Sequence, residues 1–435
     1  MSNILKKFEL YFFILAVFVS LIVRITFPSI YHYFDVHTFL EWSPFFNPIK
    51  DVYLTSCYCN YPILGMMLST GLIQLLNDSI PNFLVFLSFI DGVNVFLCYL
   101  ILRKLSVPYP FLWSSLIGLL FSSWVGGALW GQIDNIGQLF ILLILYTLTF
   151  LLNNRTIQLH RYGSLILLGG LFSACVLTKQ LLVFPIFPIY VFLFFYLMST
   201  LTWTRFLFQL FTLIVFSLLP VIFFDLWLNV PSQYVFSHIE RIVDTGSEHI
   251  NFISGNGFNL WMLFFSDQNQ SSTNAFLMNF SPKQIGLALF GCFSILVIIY
   301  LFFFIEKFKA ELRVLVLGLF GVIAFYNLMF NLVLTGTHER YLYHFYPFLI
   351  MFLVGIRYER PHFFKHFKFD LLFSIIGATL YGLFVFSILR KYLDTYFFHR
   401  FMMVFHLLLM LRLIYHLFKF ASSFPSRFIT KEDVK

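Results

Sequence analysis

The sequence predicts an all-α fold, a polytopic bundle of about twelve membrane-spanning helices. Of the 435 residues, 60% are hydrophobic and only 11% are charged, and the mean hydropathy is +0.86. This composition excludes a water-soluble globular domain. Apolar runs recur along the whole chain, and about 18 residues as a helix cross roughly 30 Å of hydrocarbon. Runs such as 140–152 and 285–304 are apolar on nearly every face, which excludes the alternating strands of a transmembrane barrel.

The basic residues indicate how the helices are threaded. Most of the 28 Lys and Arg residues fall in cytoplasmic segments, with both termini in the cytoplasm, when the helices cover approximately 9–28, 83–102, 109–127, 133–152, 162–178, 181–199, 206–229, 285–304, 314–334, 342–356, 369–389 and 399–418. The first run follows Lys6 and Lys7 and has no small-residue cleavage pattern, so we expect an uncleaved signal-anchor. The chain is predicted to form one domain, 1–435.

Two long outer loops are expected to carry function. A short apolar stretch at 62–76 begins with a proline and ends with Asn77-Asp78, which favours a helix lying along the membrane surface. Leaving it out of the spans keeps Arg103 and Lys104 cytoplasmic. The first loop then covers about 29–82 and the second about 230–284, and long polar loops in a compact protein usually carry function.

Polar clusters interrupt the apolar chain at four places, all on the non-cytoplasmic side in this topology. Ionisable groups near a bilayer are costly, so they are candidates for function. They are Asp35 with His37, Gln132 with Asp134, Lys179, and the run His338-Glu339-Arg340-Tyr341.

Each cluster also has an ordinary structural interpretation. Asp35 could be an exposed loop acid, or it could seat a hydroxyl-bearing ligand at the membrane surface. Gln132 and Asp134 could form only a solvated helix start, because an acid there favours the helix dipole. Lys179 could extend its ammonium group to the interface, or it could hold a lipid phosphate.

The last cluster has the same two interpretations. Glu339 and Arg340 could form an internal ion pair that locks two helices, but that leaves His338 and Tyr341 unexplained. Arginine is suited to bidentate phosphate contact, so Arg340 is predicted to bind a phosphate leaving group. Asp91 and Asn94, inside the second helix, are interpreted as packing groups or internal hydrogen-bond links.

Several other function classes find no support in the sequence. The net charge of +8 comes from basic residues scattered between hydrophobic runs rather than from one solvated stripe, which argues against nucleic acid as a partner. Gly-rich nucleotide loops, zinc helices and nucleophile elbows do not occur in the sequence. No cofactor is predicted, and a divalent metal stays an open alternative.

In their order along the chain, these motifs resemble the GT-C superfamily of polytopic glycosyltransferases, and most closely bacterial proteins related to the second mannosyltransferase of GPI-anchor assembly. The resemblance runs from about residue 30 to 350. It rests on Asp35 in an acidic first loop, Asn60-Tyr61-Pro62-Ile63-Leu64-Gly65, Gly131-Gln132-Ile133-Asp134, Thr178-Lys179-Gln180 and His338-Glu339-Arg340-Tyr341. The chain departs from the family at Ile63, after Lys179, and at Asp35-Val36-His37, where the superfamily often has an acidic pair.

The resemblance implies transfer of a sugar, a hexose such as mannose or glucose, from a polyprenyl-phosphate donor to a lipid or glycan acceptor, with inversion, on the non-cytoplasmic face. Asp35 is then expected to act as the base. Arg340, Lys179 and His338 are expected to bind the donor phosphate. Substrate contacts are expected from Gln132, Asp134, Glu339, Tyr341 and His37.

Two other classes stay open from the sequence. A secondary transporter is also a twelve-helix bundle, although it is expected to show midplane charges, broken helices and a repeat. A non-catalytic membrane assembly subunit would share the fold. The resemblance favours a bacterial plasma membrane, with the endoplasmic reticulum as the alternative for a eukaryotic source.

Overall fold

The fold of the described residues is helical. The computed structural model describes residues 34–46, 61–125, 130–153, 158–228, 250–359, 366–390 and 395–422, with residue 240 and scattered positions among 10–22. Over these residues the chain contains helices and isolated β-bridges but no strand. The all-α prediction is confirmed for this part of the chain.

The α-helices follow one another closely along the chain. They are α1 (Phe34–Trp42), α2 (Ile63–Leu75), α3 (Ile80–Lys104), α4 (Pro110–Leu119), α5 (Phe121–Trp124), α6 (Asp134–Asn153), α7 (Gln158–Thr178), α8 (Val183–Thr200), α9 (Trp203–Leu228), α10 (Pro282–Phe308), α11 (Leu312–Val333), α12 (Phe345–Glu359), α13 (Phe367–Arg390) and α14 (Thr395–Ser422). Short 3-10 turns connect or extend them at Ser43–Phe45, Gln180–Leu182, Leu260–Leu263 and Glu339–His344. The middle of α2, Met67–Gly71, is π-helical.

Nine helical stretches among the described residues are long and apolar enough to cross a membrane. They are Ile80–Lys104, Asp134–Leu152, Arg161–Thr178, Gln180–Thr200, Trp203–Leu228, Pro282–Phe308, Leu312–Val333, Phe367–Ser387 and Phe397–Ser422. Each coincides with one of the twelve predicted spans to within a few residues. The chain is therefore a polytopic helical membrane protein.

The three other predicted spans differ from these nine. The span predicted at 9–28 lies largely outside the described residues. The span at 109–127 is interrupted, because Leu120 adopts an extended backbone (φ −59°, ψ 133°) between α4 and α5. The span at 342–356 begins as a 3-10 turn and continues as α12, which has 15 residues.

The predicted break between the fifth and sixth spans is confirmed. Helix α7 ends at Thr178, Lys179 is extended (φ −157°, ψ 127°), and a 3-10 turn leads into α8. The predicted surface stretch at 62–76 is also helical, as α2. With about 13 residues, α2 is too short to cross a bilayer as a helix.

Helix α11 is the centre of the bundle. In the most apolar 18-residue stretch of α11, 89% is buried. In the corresponding stretches of α9 and α10, at the periphery, only 22% is buried. It packs against α8, α10, α12 and α14. Helices that are apolar all round and exposed on the outside of the molecule are suited to contact with lipid, and α9 and α10 have this character.

The two ends of the bundle differ in chemistry. At one end, Arg313 pairs with Glu359 at 2.9 Å, and Lys307 Nζ donates to the carbonyl of Ala421 at 2.8 Å. Arg103 and Lys104 terminate α3 at the same end. Under the positive-inside rule, such basic residues are expected on the cytoplasmic side of the membrane. The polar motifs of the sequence meet at the opposite end.

Candidate functional site

Six polar side chains that are far apart in the sequence meet at the end of the bundle opposite the basic one. Five chain segments supply them: α1, the loop before α6, the start of α6, the break between α7 and α8, and the 3-10 turn before α12. The side chains are Asp35, Gln132, Asp134, Lys179, Glu339 and Arg340.

Asp35 is held by one aromatic donor and one cation. Trp130 Nε1 donates a hydrogen bond to Asp35 Oδ2. Arg340 Nη1 lies 3.7 Å from the same oxygen, and its guanidinium lies over the Trp130 ring, 5.5 Å from the centroid. The Asp35 side chain is 17% exposed. This carboxylate is therefore fixed in orientation while part of it stays accessible.

Glu339 shares the same arginine. Arg340 Nη1 lies 3.7 Å from Glu339 Oε1, so one guanidinium is placed between two carboxylates. The Glu339 side chain is 1% exposed, and its Oε2 has no hydrogen-bond partner among the described residues. Arg340 Nε likewise has no partner there. Buried polar atoms without partners are costly, so each is a candidate contact for a ligand.

Lys179 forms the centre of a second polar group. Its Nζ lies 2.8 Å from Asp134 Oδ1 and donates to Gln132 Oε1 at 3.2 Å. The Tyr61 hydroxyl donates to the same Gln132 oxygen at 2.7 Å. Lys179 is buried, so its ammonium group does not reach the surface of the described structure. A buried cation needs a partner to offset its desolvation, and Asp134 is that partner.

The charges shift one another's pKa values. Burial alone would raise the pKa of Asp35, but the Arg340 charge and the nearby Gln132 and Trp130 side chains outweigh it and lower that pKa below the ordinary value of 3.8. Burial raises the pKa of Glu339 to about 7 despite the nearby Arg340. Asp35 is therefore ionised at neutral pH, whereas Glu339 titrates close to neutrality.

The two cations respond differently to the same burial. For Arg340, burial acts to lower the pKa, but Asp35 and Glu339 outweigh it, so the pKa is raised and the guanidinium stays charged. For Lys179, burial lowers the pKa, and Asp134 offsets only part of that. Arg340 is thus the more firmly charged cation of the site.

Two glycines allow the segments to approach closely. Gly131 has a positive φ of 75°, and a Cβ there would lie 2.1 Å from Val36 Cγ2 on α1. A Cβ at Gly65 would lie 2.1 Å from the backbone oxygen of Thr178. Only glycine fits such contacts without displacing a neighbour. Gly131 thereby brings Trp130 to Asp35, and Gly65 brings α2 to the segment that carries Lys179.

The described part of the second outer loop packs on the start of the His338-Glu339-Arg340-Tyr341 run. The amides of Gly255 and Gly257 both donate to the Thr337 carbonyl at 2.9 Å. Asn259 Nδ2 donates to Thr337 Oγ1 at 3.2 Å. A Cβ at Gly255 would lie 2.6 Å from the His338 ring. This loop, predicted to carry function, therefore supports the motif from one side.

Three of the predicted site residues lie at the margin of the cluster. His37 is exposed, and it is two positions beyond Asp35, which places it on another face of α1. His338 packs its ring against Tyr341, 5.2 Å between centroids. Tyr341 stacks in turn on Phe330, 5.8 Å between centroids.

The structure also places residues in the site that the sequence interpretation had not assigned to it. Trp130 directly precedes the Gly131-Gln132-Ile133-Asp134 motif, and its indole donates to Asp35. Tyr61 belongs to the predicted surface-helix motif, and its hydroxyl reaches Gln132. The sequence signal was their position, because Trp130 adjoins one motif and Tyr61 belongs to another. Sequence spacing, however, does not reveal contacts between distant segments.

The described residues show no ready-made metal site. No group of three or more His, Cys, Asp or Glu side chains is placed there to hold a metal ion. The sequence also holds a Cys-x-Cys pair, Cys57 and Cys59, which lies outside the described residues.

Comparison of the chain with protein-family models, with curated proteins and with solved structures returns no match.

Proposed function

We propose that the protein is a membrane glycosyltransferase that moves a sugar from a polyprenyl-phosphate donor to an acceptor hydroxyl on the non-cytoplasmic face. The observation that carries the proposal is the meeting of Asp35 and Arg340 at the non-basic end of the bundle, with Glu339 and Lys179 close by. An ionised carboxylate beside a charged guanidinium supplies a proton acceptor and a phosphate-binding group in one place.

The reaction balances with these groups. The acceptor oxygen forms a bond to the anomeric carbon while the bond from that carbon to the phosphate oxygen breaks. The electron pair of the broken bond goes to the phosphate, and the proton of the acceptor hydroxyl goes to Asp35. Because attack and departure occur on opposite faces of the sugar, the anomeric configuration inverts.

Asp35 is suited to the role of base by its environment. The Arg340 guanidinium and the Trp130 indole keep it ionised and oriented. Both groups lie against Oδ2, and the side chain is partly exposed. A base must lie within hydrogen-bond reach of the proton that it accepts, and a fixed, accessible carboxylate meets that condition.

Arg340 is suited to the phosphate because its charge is secure and its Nε lacks a partner among the described residues. A planar guanidinium binds phosphate oxygens in pairs. In this proposal Lys179 and His338 assist. Lys179 is paired with Asp134, so part of its positive charge is already compensated.

The charges of the site also indicate how it would accept an anion. Three carboxylates, Asp35, Asp134 and Glu339, face two cations, Lys179 and Arg340. With every group ionised the cluster carries a net charge of −1, and protonation of Glu339 makes it neutral. A pKa of about 7 makes that protonation available at neutral pH, so we propose that the donor phosphate binds together with a proton on Glu339.

The sugar would contact the remaining polar groups. Gln132 and Asp134 present amide and carboxylate groups, and Glu339 presents the unpartnered Oε2. Sugar hydroxyls can donate to carboxylate oxygens and accept from amide nitrogens. Tyr341 and His37 would contact substrate at the margin. The donor lipid would reach this end of the bundle from the membrane.

The test is sugar transfer from a panel of radiolabelled polyprenyl-phosphate sugars by membranes that contain the wild type, Asp35→Asn or Arg340→Ala. We expect wild-type transfer and a loss of several orders of magnitude in Asp35→Asn, since removing a general base typically costs about 10²–10⁴-fold and this base is also part of the ion cluster. Full activity of Asp35→Asn would exclude Asp35 as the base.

A secondary transporter is the second candidate, and one observation favours it. Asp91 lies in the middle of α3, and intramembrane acids often line ion pathways. No sugar transfer from any donor, combined with proton- or sodium-coupled uptake of a solute into vesicles, would support that candidate. A non-catalytic assembly subunit would show neither activity.

A further inference from the structure

The far end of the 3-10 turn that carries Glu339 and Arg340 is anchored deep in the bundle. The Tyr343 hydroxyl donates to Asp91 Oδ1 at 3.1 Å, on α3. His344 Nδ1 lies 2.7 Å from Gln138 Oε1, on α6. These two contacts tie consecutive residues of the turn to two different helices, so they limit both translation and rotation of the turn.

A cavity of about 30 Å³ adjoins these two contacts. Its polar lining is supplied by Asp91, Asn94, Ser123, Gln138 and Tyr343. A cavity needs roughly 10–15 Å³ and two to four polar partners to hold a water molecule. Its volume and its lining therefore both meet the requirement.

Two buried polar atoms at this cavity have no hydrogen-bond partner among the described residues. They are Asn94 Oδ1 and Gln138 Nε2. The Asn94 side chain is oriented, because its Nδ2 donates to the Asn135 carbonyl at 2.8 Å. Gln138 is oriented by His344 at its Oε1. One atom can accept a hydrogen bond and the other can donate one, which is the pair that a water molecule satisfies.

We propose that this cavity binds ordered water, and that Asp91 and Gln138, acting through Tyr343 and His344, are positioning residues for Arg340. Water would donate to Asn94 Oδ1 and accept from Gln138 Nε2. The site thus has a second polar layer below the ion cluster, inside the membrane-spanning region. The water site stands on its own, whereas the positioning role rests on the proposed function.

The water site is tested by X-ray hydroxyl-radical footprinting of the full chain in detergent, read by mass spectrometry. Radicals formed from bound water label the side chains beside it. Cys98 lines the cavity, whereas Cys175 is equally buried in the apolar core and does not line it. We expect labelling of Cys98 and Tyr343 at least several-fold faster than labelling of Cys175.

Equal, low labelling of Cys98 and Cys175 would overturn the water site. The wild type alone decides this, so the test does not depend on a variant that folds. A Gln138→Leu variant adds a second measurement, and its Cys98 labelling should fall because one polar atom of the cavity is removed.

The positioning role is tested by sugar-transfer kinetics of Tyr343→Phe, with Tyr326→Phe as the matched control. The Tyr326 hydroxyl also bonds a side chain, Ser294 at 2.9 Å, but it lies outside the ion cluster. We expect kcat to fall about 10- to 100-fold in Tyr343→Phe with little change in the KM for donor, because small misplacements of a catalytic group are costly. Tyr326→Phe should keep its rate.

Conservative rescue separates positioning from stability. Asp91→Asn keeps an oxygen for the Tyr343 hydroxyl and should retain most of the rate, whereas Asp91→Leu should lose it at a similar melting temperature. A Tyr343→Phe variant as active as wild type would overturn the positioning role. If the wild type transfers no sugar from any donor, the proposed function fails while the footprinting result still stands.

Discussion

At the scale of single residues, Arg340 is the positive charge that two acidic side chains of the site share. Its guanidinium lies 3.7 Å from a carboxylate oxygen of Asp35 and 3.7 Å from one of Glu339. Yet these two acids differ in pKa, because Asp35 also receives a hydrogen bond from the Trp130 indole whereas Glu339 is almost fully buried. Two carboxylates with separated pKa values can perform different proton-transfer tasks at one pH.

Arg340→Ala should raise the pKa of Asp35, because burial would then act on that carboxyl with its main opposing charge removed. The pH dependence of Asp35 modification by a hydrophobic carbodiimide, which reacts with the protonated acid, measures this pKa, and peptide mapping separates Asp35 from Glu339. Modification should extend to higher pH in Arg340→Ala than in the wild type. Arg340→Lys, which keeps the charge, is the control. An unchanged pH profile would show that Arg340 does not control Asp35.

Glu339 should make stability depend on pH. Its folded-state pKa of about 7 lies above the ordinary 4.5, so the protonated carboxyl favours the folded state. That contribution is fully present below pH 4.5 and is lost as the pH rises through 7. At 1.36 kcal/mol per pKa unit it amounts to about 3 kcal/mol.

The Glu339→Gln variant cannot ionise at this position. Relative to the wild type, its melting temperature in detergent should therefore increase as the pH is raised from 5 to 8. A difference between the two proteins that is constant over this range would contradict the raised pKa.

At the scale of elements, the site depends on close packing between the short outer helices and the ends of the spans. Helix α2 approaches the end of α7 at Gly65, and the loop before α6 approaches α1 at Gly131. Neither α1 nor α2 crosses the membrane on its own length. Their role is to hold Asp35 and Tyr61 over the ends of the spanning helices.

Gly65→Ala should separate α2 from the segment that carries Lys179, because the new Cβ would lie 2.1 Å from the Thr178 carbonyl oxygen. Overpacking of this kind typically costs about 1–3 kcal/mol. Thermal unfolding and sugar transfer would both be measured. Gly163→Ala in α7 is the control, since a Cβ there meets no atom within 4 Å, and replacing a helical glycine should stabilise by about 0.5–1 kcal/mol. If Gly65→Ala and Gly163→Ala were equally stable, the close approach of Gly65 to Thr178 would be contradicted.

At the scale of the whole molecule, the distribution of charge separates two faces. Arg103, Lys104, Lys307 and Arg313 lie at one end of the bundle and the candidate site occupies the other, with the buried helix α11 between them. In the proposed function the site meets both a lipid-linked substrate and water, which requires a position at such a membrane boundary. The proposed function therefore requires that the end carrying the site faces the non-cytoplasmic side of the membrane, and this orientation can be tested.

Cysteines placed at the two ends of α10 should react from opposite sides of the membrane. Asn274 and Ala310 are both exposed, before and after that helix. A membrane-impermeant maleimide added outside intact cells should label Asn274→Cys and not Ala310→Cys, in a background where Cys57 and Cys59 are serine. Labelling of Ala310→Cys alone would reverse the topology and place the site on the cytoplasmic face.

Much of the architecture follows from sequence alone. Hydropathy over about 20 residues is a local property, and it located nine spans that the structure shows as helices, with the break at Lys179. Alternation of spans also indicated that the polar motifs share one side, which the contacts among Asp35, Gln132 and Arg340 bear out for the described residues. These conclusions need no knowledge of which helices touch.

The pairing inside the site was decided by tertiary structure. Sequence could not show that Lys179 pairs with Asp134, that the Trp130 indole donates to Asp35, or that Tyr343 reaches Asp91 across 252 positions of chain. Each contact joins segments whose separation depends on how the helices pack and on where glycine lets backbones meet. Local hydropathy therefore determined the membrane fold and the shared face, and long-range packing determined which charge each polar residue meets.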